Sequence, residues 1–110
     1  MAEVFKNASL VDVDNSSADT LYTAPSATTS IVLGVAIANK SSNTVGLKLS
    51  FTDSSASTTT EMIPNVQIPG NTTLEVLAGQ KYILETGDSL TALADTASSI
   101  DITMGVLELS

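Results

Sequence analysis

Two stretches of the chain alternate strictly between apolar and polar or small residues. The first covers residues 43–53 and the second covers residues 99–106. Successive side chains of a strand point to opposite faces, so this period of two predicts strands with one buried face. The apolar positions are Val45, Leu47, Leu49 and Phe51 in the first stretch and Ile100, Ile102, Met104 and Val106 in the second.

Residues 30–39 form a strand pattern in which neither face is clearly polar. One face carries the large residues Ile31, Leu33, Val35 and Ile37, and the other carries Ser30, Val32, Gly34, Ala36 and Ala38. A strand without a polar face is expected to be covered on both sides, and small residues let another backbone approach closely. Two interpretations stay open for Val32, Gly34, Ala36 and Ala38: packing against a second sheet, or contact with a neighbouring subunit.

Clusters of Gly, Pro, Asp, Asn and Ser divide the rest of the chain into short runs, which predict weaker strands at 10–13, 20–23, 61–68, 72–77, 81–85 and 89–94. Pro64 assigns its strand to an edge or a bulge. Asp88 could instead cap a short helix over the last run, but the surrounding β pattern favours a strand. The whole predicts one all-β domain over residues 1–110, an antiparallel β-sandwich or jelly-roll-like barrel of about eight or nine short strands. Its expected core contains Leu33, Val35, Leu47, Leu49, Phe51, Ile102 and Met104.

Apolar residues near both ends of the chain have two possible roles. Val4 and Phe5 belong either to a first strand or to an N-terminal arm, within residues 1–18, that docks on a partner. After Gly105, Leu107 and Leu109 change to the polar face of their strand. A bulge at Gly105 would return them to the core. Without that bulge they form an exposed apolar stripe, which is typical of an interface.

The charge and the missing residue types exclude several functions. Twelve acidic residues against four lysines give a net charge of −8, which disfavours nucleic acid and anionic membranes as partners. The chain contains no His and no Cys, so most nucleophile–base pairs and zinc sites are ruled out. No Gly-rich phosphate loop occurs. We therefore expect a non-enzymatic protein without catalytic, cofactor or metal residues.

One acidic cluster leaves a calcium ion as an alternative. Asp12, Asp14 and Asp19 surround a single expected turn. Such residues commonly bond to their own backbone in turns, which is the simpler interpretation. Carboxylate oxygens are also the ligands that Ca²⁺ prefers, so a structural Ca²⁺ is the second interpretation.

Several short motifs between Thr20 and Leu109 occur in a suggestive order. They are TLYTAP at 20–25 with the Thr-rich strand that follows, ANKSS at 38–42, IPG at 68–70 and ILETGDSL at 83–90. Together they resemble small β-sandwich virion proteins of tailed bacteriophages, especially marine phages. The resemblance does not cover the residues before Asp19, and it brings no catalytic residues.

The resemblance implies an accessory structural role in a virion. The leading hypothesis is a capsid decoration or cement protein that packs as a homo-oligomer or on the major capsid protein; a neck, tail or baseplate component is an alternative. No basic segment followed by an apolar segment opens the chain, so we expect no signal peptide and synthesis in the host cytoplasm. A carbohydrate- or receptor-binding module on a fibre is the other alternative. Sugar binding usually needs exposed aromatic rings, for which only Tyr22 and Tyr82 are candidates.

Overall fold

Strands account for most of residues 3–76 and 81–110, which are the residues that the computed structural model describes. Nine strands are present in this part of the chain, without a helix, so the all-β fold class is confirmed. Their bounds are β1 Glu3–Leu10, β2 Asp19–Thr23, β3 Thr29–Asn39, β4 Val45–Asp53, β5 Thr58–Ile68, β6 Thr72–Glu75, β7 Tyr82–Leu84, β8 Ser89–Ala94 and β9 Ile100–Leu109.

The strands form two antiparallel sheets that enclose one core. The five-stranded sheet has the order β1-β9-β3-β6, with β7 also pairing with β3, and the four-stranded sheet has the order β2-β8-β4-β5. Both sheets contribute fully buried side chains to the same hydrophobic cluster, including Ile37 and Ile102 from the first sheet and Leu47, Leu49 and Leu90 from the second. This is the arrangement of a β-sandwich, in which the inner faces of two sheets interdigitate.

Most of the predicted strands lie where the pattern indicated. Residues 89–94 form β8 rather than a helix, and Pro64 lies in edge strand β5, where the register shifts opposite β4. The prediction of a strand over 10–13 is wrong, because β1 ends at Leu10 and Asp12 has a φ of 56°, which a strand does not tolerate. Leu77, the end of one predicted strand, and the expected turn at Gly79 lie outside the described residues.

A β-bulge in β3 overturns the predicted faces of that strand. Val32 pairs with Val106 and Gly34 pairs with Gly105, so Leu33 is an extra residue without a partner. Even-numbered residues therefore face the core before the bulge, and odd-numbered residues face the core after it. As a result Leu33, predicted in the core, is 38% exposed, whereas Val32, predicted on the small face, is fully buried.

The end of β9 contains no bulge. Its pairing with β1 runs in unbroken register from Glu3 opposite Leu109 to Leu10 opposite Ile102. Leu107 and Leu109 therefore stay on the outer face, where both are half-buried, and Glu108 takes the inward position between them. Of the predicted core, Val35, Leu47, Leu49, Ile102 and Met104 are buried, and Phe51 is half-buried against the core.

Candidate functional site

Four large apolar side chains form a row across the outer face of the five-stranded sheet. Phe5 of β1 lies opposite Leu107 of β9, Leu107 opposite Ile31 of β3, and Ile31 opposite Ile83 of β7. We call these four residues the apolar row. Directly opposed side chains of antiparallel strands lie about 4.5–5.5 Å apart at Cβ, so the row is a continuous apolar surface. Phe5 is 73% and Ile83 61% exposed, whereas Leu107 and Ile31 are half-buried.

A depression adjoins the apolar row. The next pair of residues along β9 and β3 is Gly105 opposite Gly34. A Cβ on Gly105 would meet no atom within 4 Å, and one on Gly34 would meet only Glu75 Oε1 at 3.8 Å. The sheet surface therefore drops by the height of a side chain beside the row, and Leu33 lines the depression.

Six of the eight residues predicted at an interface lie on this outer face: Phe5, Gly34, Ala36, Ala38, Leu107 and Leu109. Val4 lies opposite the inward Glu108, on the inner side of the sheet edge, and is 43% exposed. The interface prediction for Val32 is wrong, because the bulge turns its side chain into the core. Sequence reasoning missed Ile31 and Ile83 as interface candidates. Ile31 was placed on the same face as Leu33, Val35 and Ile37 because a continuous alternation was assumed across Leu33.

A polar network lies on the inner side of the sheet beneath the row. Glu108 is buried, and its Oε2 accepts a hydrogen bond from the Tyr22 hydroxyl at 2.5 Å while its Oε1 lies 3.3 Å from Lys6 Nζ. Tyr22 Oη also lies 2.7 Å from Ser30 Oγ. The network joins β1, β3 and β9 of one sheet to β2 of the other, so it helps to hold edge strand β1 in place.

The network displaces the pKa values of its two acidic groups in opposite directions. The hydrogen bond from Tyr22, together with Lys6, lowers the pKa of Glu108 although burial opposes this shift. Burial, followed by the bond to the Glu108 carboxylate, raises the pKa of Tyr22 to about 12. Glu108 is therefore charged and Tyr22 neutral at physiological pH. The sequence signal for this network is the single acidic residue at an inward position of β9.

Asp14 and Asp19 act as turn residues. The Asp14 carboxylate accepts hydrogen bonds from the backbone N–H groups of Asn15 at 2.8 Å and Ser16 at 3.2 Å. The bond from Ser16 is the main cause of the lowered pKa of Asp14. Asp19 Oδ2 accepts from the N–H of Asp14 at 2.9 Å. This is the geometry of the simpler interpretation, in which Asp side chains satisfy their own turn.

Asp12 belongs to an ion-pair cluster rather than to that turn. Lys40 Nζ lies 2.5 Å from Asp12 Oδ1 and 3.0 Å from Asp101 Oδ1. The N–H of Asp12 also donates to Asp101 Oδ1 at 3.0 Å, and this bond lowers the pKa of Asp101. Over residues 3–76 and 81–110, no group of three or more His, Cys, Asp or Glu side chains is arranged to hold a metal ion.

The outer face of the four-stranded sheet is polar by comparison. Lys48 and Glu61 form an ion pair at 3.2 Å across β4 and β5, and Ser50, Thr59 and Thr91 surround them. The two outer faces therefore differ in chemistry, and the large exposed apolar residues concentrate on the five-stranded side.

Comparisons with known proteins add information on the fold. No family model matches the chain, and no curated protein matches it. Among solved structures, the chain is similar to one from Bacillus endospore appendages, which are described as a novel family of disulfide-linked pili. That match has a TM-score of 0.58 at 10% sequence identity and covers 98% of this chain and 88% of that chain. At this identity the likeness shows a shared β-sandwich fold. None of the residues that the structure describes forms a helix long and apolar enough to cross a membrane.

Proposed function

We propose that this chain is a non-enzymatic structural subunit that packs on other proteins in a larger assembly. The apolar row carries the proposal. Phe5 and Ile83, its two ends, are 73% and 61% exposed, and Ile31 and Leu107 join them into one surface. A contiguous exposed apolar surface is typical of a site that contacts another molecule, and contacts between proteins are among the roles such surfaces serve.

Within this class we propose an accessory protein of a bacteriophage virion, most specifically a capsid decoration or cement subunit. The support is the resemblance of the motifs at 20–25, 38–42, 68–70 and 83–90 to such proteins. A neck, tail or baseplate position is the alternative within the same class. A disulfide linkage, which is described for the endospore appendages, is not open to this chain because it contains no Cys.

The carbohydrate-binding alternative receives less support from the aromatic residues. The Tyr22 hydroxyl is engaged with Glu108 and Ser30, and its ring is half-buried. Phe5 is the most exposed aromatic side chain, but its neighbour on the outer face of the sheet is Leu107. Sugar sites combine an aromatic ring with convergent polar groups, whereas an apolar neighbourhood suits a protein surface.

A pair of charge substitutions tests the assembly role. Ile83→Glu introduces a carboxylate into the apolar row, and Thr91→Glu introduces one into the polar outer face of the other sheet. We expect Ile83→Glu to reduce association at least tenfold in co-sedimentation with purified particles of the phage that encodes the chain, and Thr91→Glu to leave it within twofold. Far-UV circular dichroism checks that both variants keep the β fold.

Two results would contradict the proposal. Equal binding of the parent and both variants would mean that the apolar row does not mediate the contact. A parent protein that fails to sediment with the particles but binds a defined sugar on a glycan array would favour the carbohydrate-binding module.

A further inference from the structure

The edges of the two sheets differ in their protection against pairing with another chain. An edge strand presents unpaired N–H and C=O groups, and folded proteins guard such edges with bulges, prolines, charged side chains or very short strands. β5 contains Pro64 and two register shifts, and β2 contains a shift between Thr20 and Tyr22. The remaining edge, beside β3, is divided between β6 and β7, which are four and three residues long.

Along its described length β1 lacks all of these protections except charge, and the charge of its lysine, Lys6, is paired with Glu108 of the same chain. It runs for eight residues in unbroken register with β9, and it contains neither a proline nor a bulge. Its residues 3–7 are all exposed, including Val4 and Phe5. Glu3 and Lys6 are its ionisable side chains, so the strand is neutral in a chain of net charge −8. A second copy can therefore approach this edge without local charge repulsion.

We propose that β1 pairs with β1 of a second copy about a two-fold axis, which joins the two five-stranded sheets into one. The inference deepens the proposed function and rests on it, because it names the first partner in the assembly as another copy of this chain. Backbone hydrogen bonds between the two edges supply the attraction, as in other cases of strand addition. A two-fold axis closes the pair, so the paired part of β1 cannot accept a third copy.

The alternation of β1 limits the register of this pairing. A two-fold axis perpendicular to the sheet keeps outer residues opposite outer residues. In each register the two residue numbers of every opposed pair therefore add up to the same even number, which we use to name the register. A sum of 12 would place Lys6 against Lys6 of the second copy. A sum of 10 places Phe5 against Phe5 and Val4 against Lys6, which buries the most exposed apolar residue and separates like charges. In that register the apolar rows of the two copies meet at Phe5 and form one surface.

Single cysteine substitutions test the register, because the chain contains no Cys of its own. In the proposed dimer the two residues at position 5 face each other at a Cβ separation close to that of a disulfide. We expect Phe5→Cys to form a disulfide-linked dimer under mild oxidation. The matched control Asn7→Cys lies on the same face of the same strand, but its two copies are offset by four residues, about 13 Å. We expect it to cross-link at least tenfold more slowly.

A double variant separates this inference from the proposed function. Ile83→Glu in the Phe5→Cys background should keep the cross-link, because Ile83 lies at the opposite edge of the sheet from β1. The same substitution should still weaken packing on a particle. Loss of the cross-link in the double variant would mean that copies associate through the outer face and not through β1. Equal cross-linking of Phe5→Cys and Asn7→Cys would overturn the β1 pairing. So would a parent protein that is monomeric in light scattering up to about 1 mM, because its dimer Kd would then lie above about 1 mM.

Discussion

At the scale of single residues, two leucines that look alike in sequence have opposite environments. Leu49 of β4 is fully buried, whereas Leu33 at the β3 bulge is exposed. Replacing Leu49 by Ala should lower the free energy of unfolding by about 2–5 kcal/mol, because it leaves a cavity in the core. The same replacement at Leu33 should cost less than about 1 kcal/mol. Urea unfolding of both variants measures the difference, and equal costs would contradict the assignment of Leu33 to the bulge.

A second residue-scale prediction concerns the hydrogen bond from Tyr22 to Glu108. The pKa of Glu108 is lowered in the fold, so its ionised form stabilises the protein above its unfolded pKa, and this contribution is lost as pH falls through the folded pKa. Tyr22→Phe should therefore cost about 1 kcal/mol at pH 7 and less at pH 3. Chemical unfolding at the two pH values measures this, with Tyr82→Phe as the matched control, whose effect should not depend on acid.

Tyr22→Phe should also change how the stability of the fold depends on pH in the alkaline range, where stability is lost as pH rises. The pKa of Tyr22 is raised to about 12 in the fold. The neutral hydroxyl therefore contributes fully below the unfolded pKa of about 10, and the contribution is lost as pH rises towards the folded value. The parent should lose stability over this range while Tyr22→Phe loses less. Parallel losses in the two proteins would show that Tyr22 ionises as freely in the fold as in the unfolded chain.

At the scale of elements, the bulge in β3 makes a deletion experiment informative. The bulge lies between residues 30–32, which pair with β7, and residues 36–39, which pair with β6. Deleting Leu33 leaves Val32 and Gly34 as consecutive partners of β9 and keeps every inward residue inward. We expect this variant to fold and to unfold cooperatively. Deleting Ala36 instead shifts the parity of β3 and turns Ile37 away from the core, which should cost more than about 3 kcal/mol.

Thermal unfolding of the two deletion variants provides the measurement. The deletions remove one residue each from the same strand, so differences in chain length do not affect the comparison. A stable Ala36 deletion beside an unfolded Leu33 deletion would mean that Leu33 is a paired residue of the ladder.

At the scale of the whole molecule, the net charge of −8 opposes self-association. Salt screens this repulsion, with a Debye length of about 10 Å at 0.1 M and about 3 Å at 1 M. The dimer should therefore tighten as NaCl rises from about 50 mM to 500 mM, as measured by light scattering. Thr91→Glu, with a net charge of −8 − 1 = −9, should need more salt for the same degree of association. Association that weakens with salt would instead indicate an interface held by ion pairs.

Local alternation was sufficient to predict the class of fold and much of its core. In residues 45–51 of β4 and 100–106 of β9 each inward residue is apolar, so hydrophobic burial alone selects the face of Leu47, Leu49, Ile102 and Met104. Pro64 likewise indicated an edge or bulge, because its missing N–H cannot join a continuous ladder. These features depend on residues within one strand, and for that reason the amino-acid sequence reveals them directly.

The features that alternation within one strand does not predict depend on pairing between strands that are far apart in the chain. The bulge at Leu33 exists because β3 must place both Val32 and Val35 in the core while it stays paired with β9. Glu108 is tolerated inside because Tyr22 and Lys6, far away in the chain, reach its two oxygens. The apolar row likewise collects one residue from each of four strands. The sequence by itself determined most of the strand segments and the residues that favour burial. The tertiary structure decided the register of the strands and which residues lie together on the outer faces, because these depend on contacts between residues far apart in the chain.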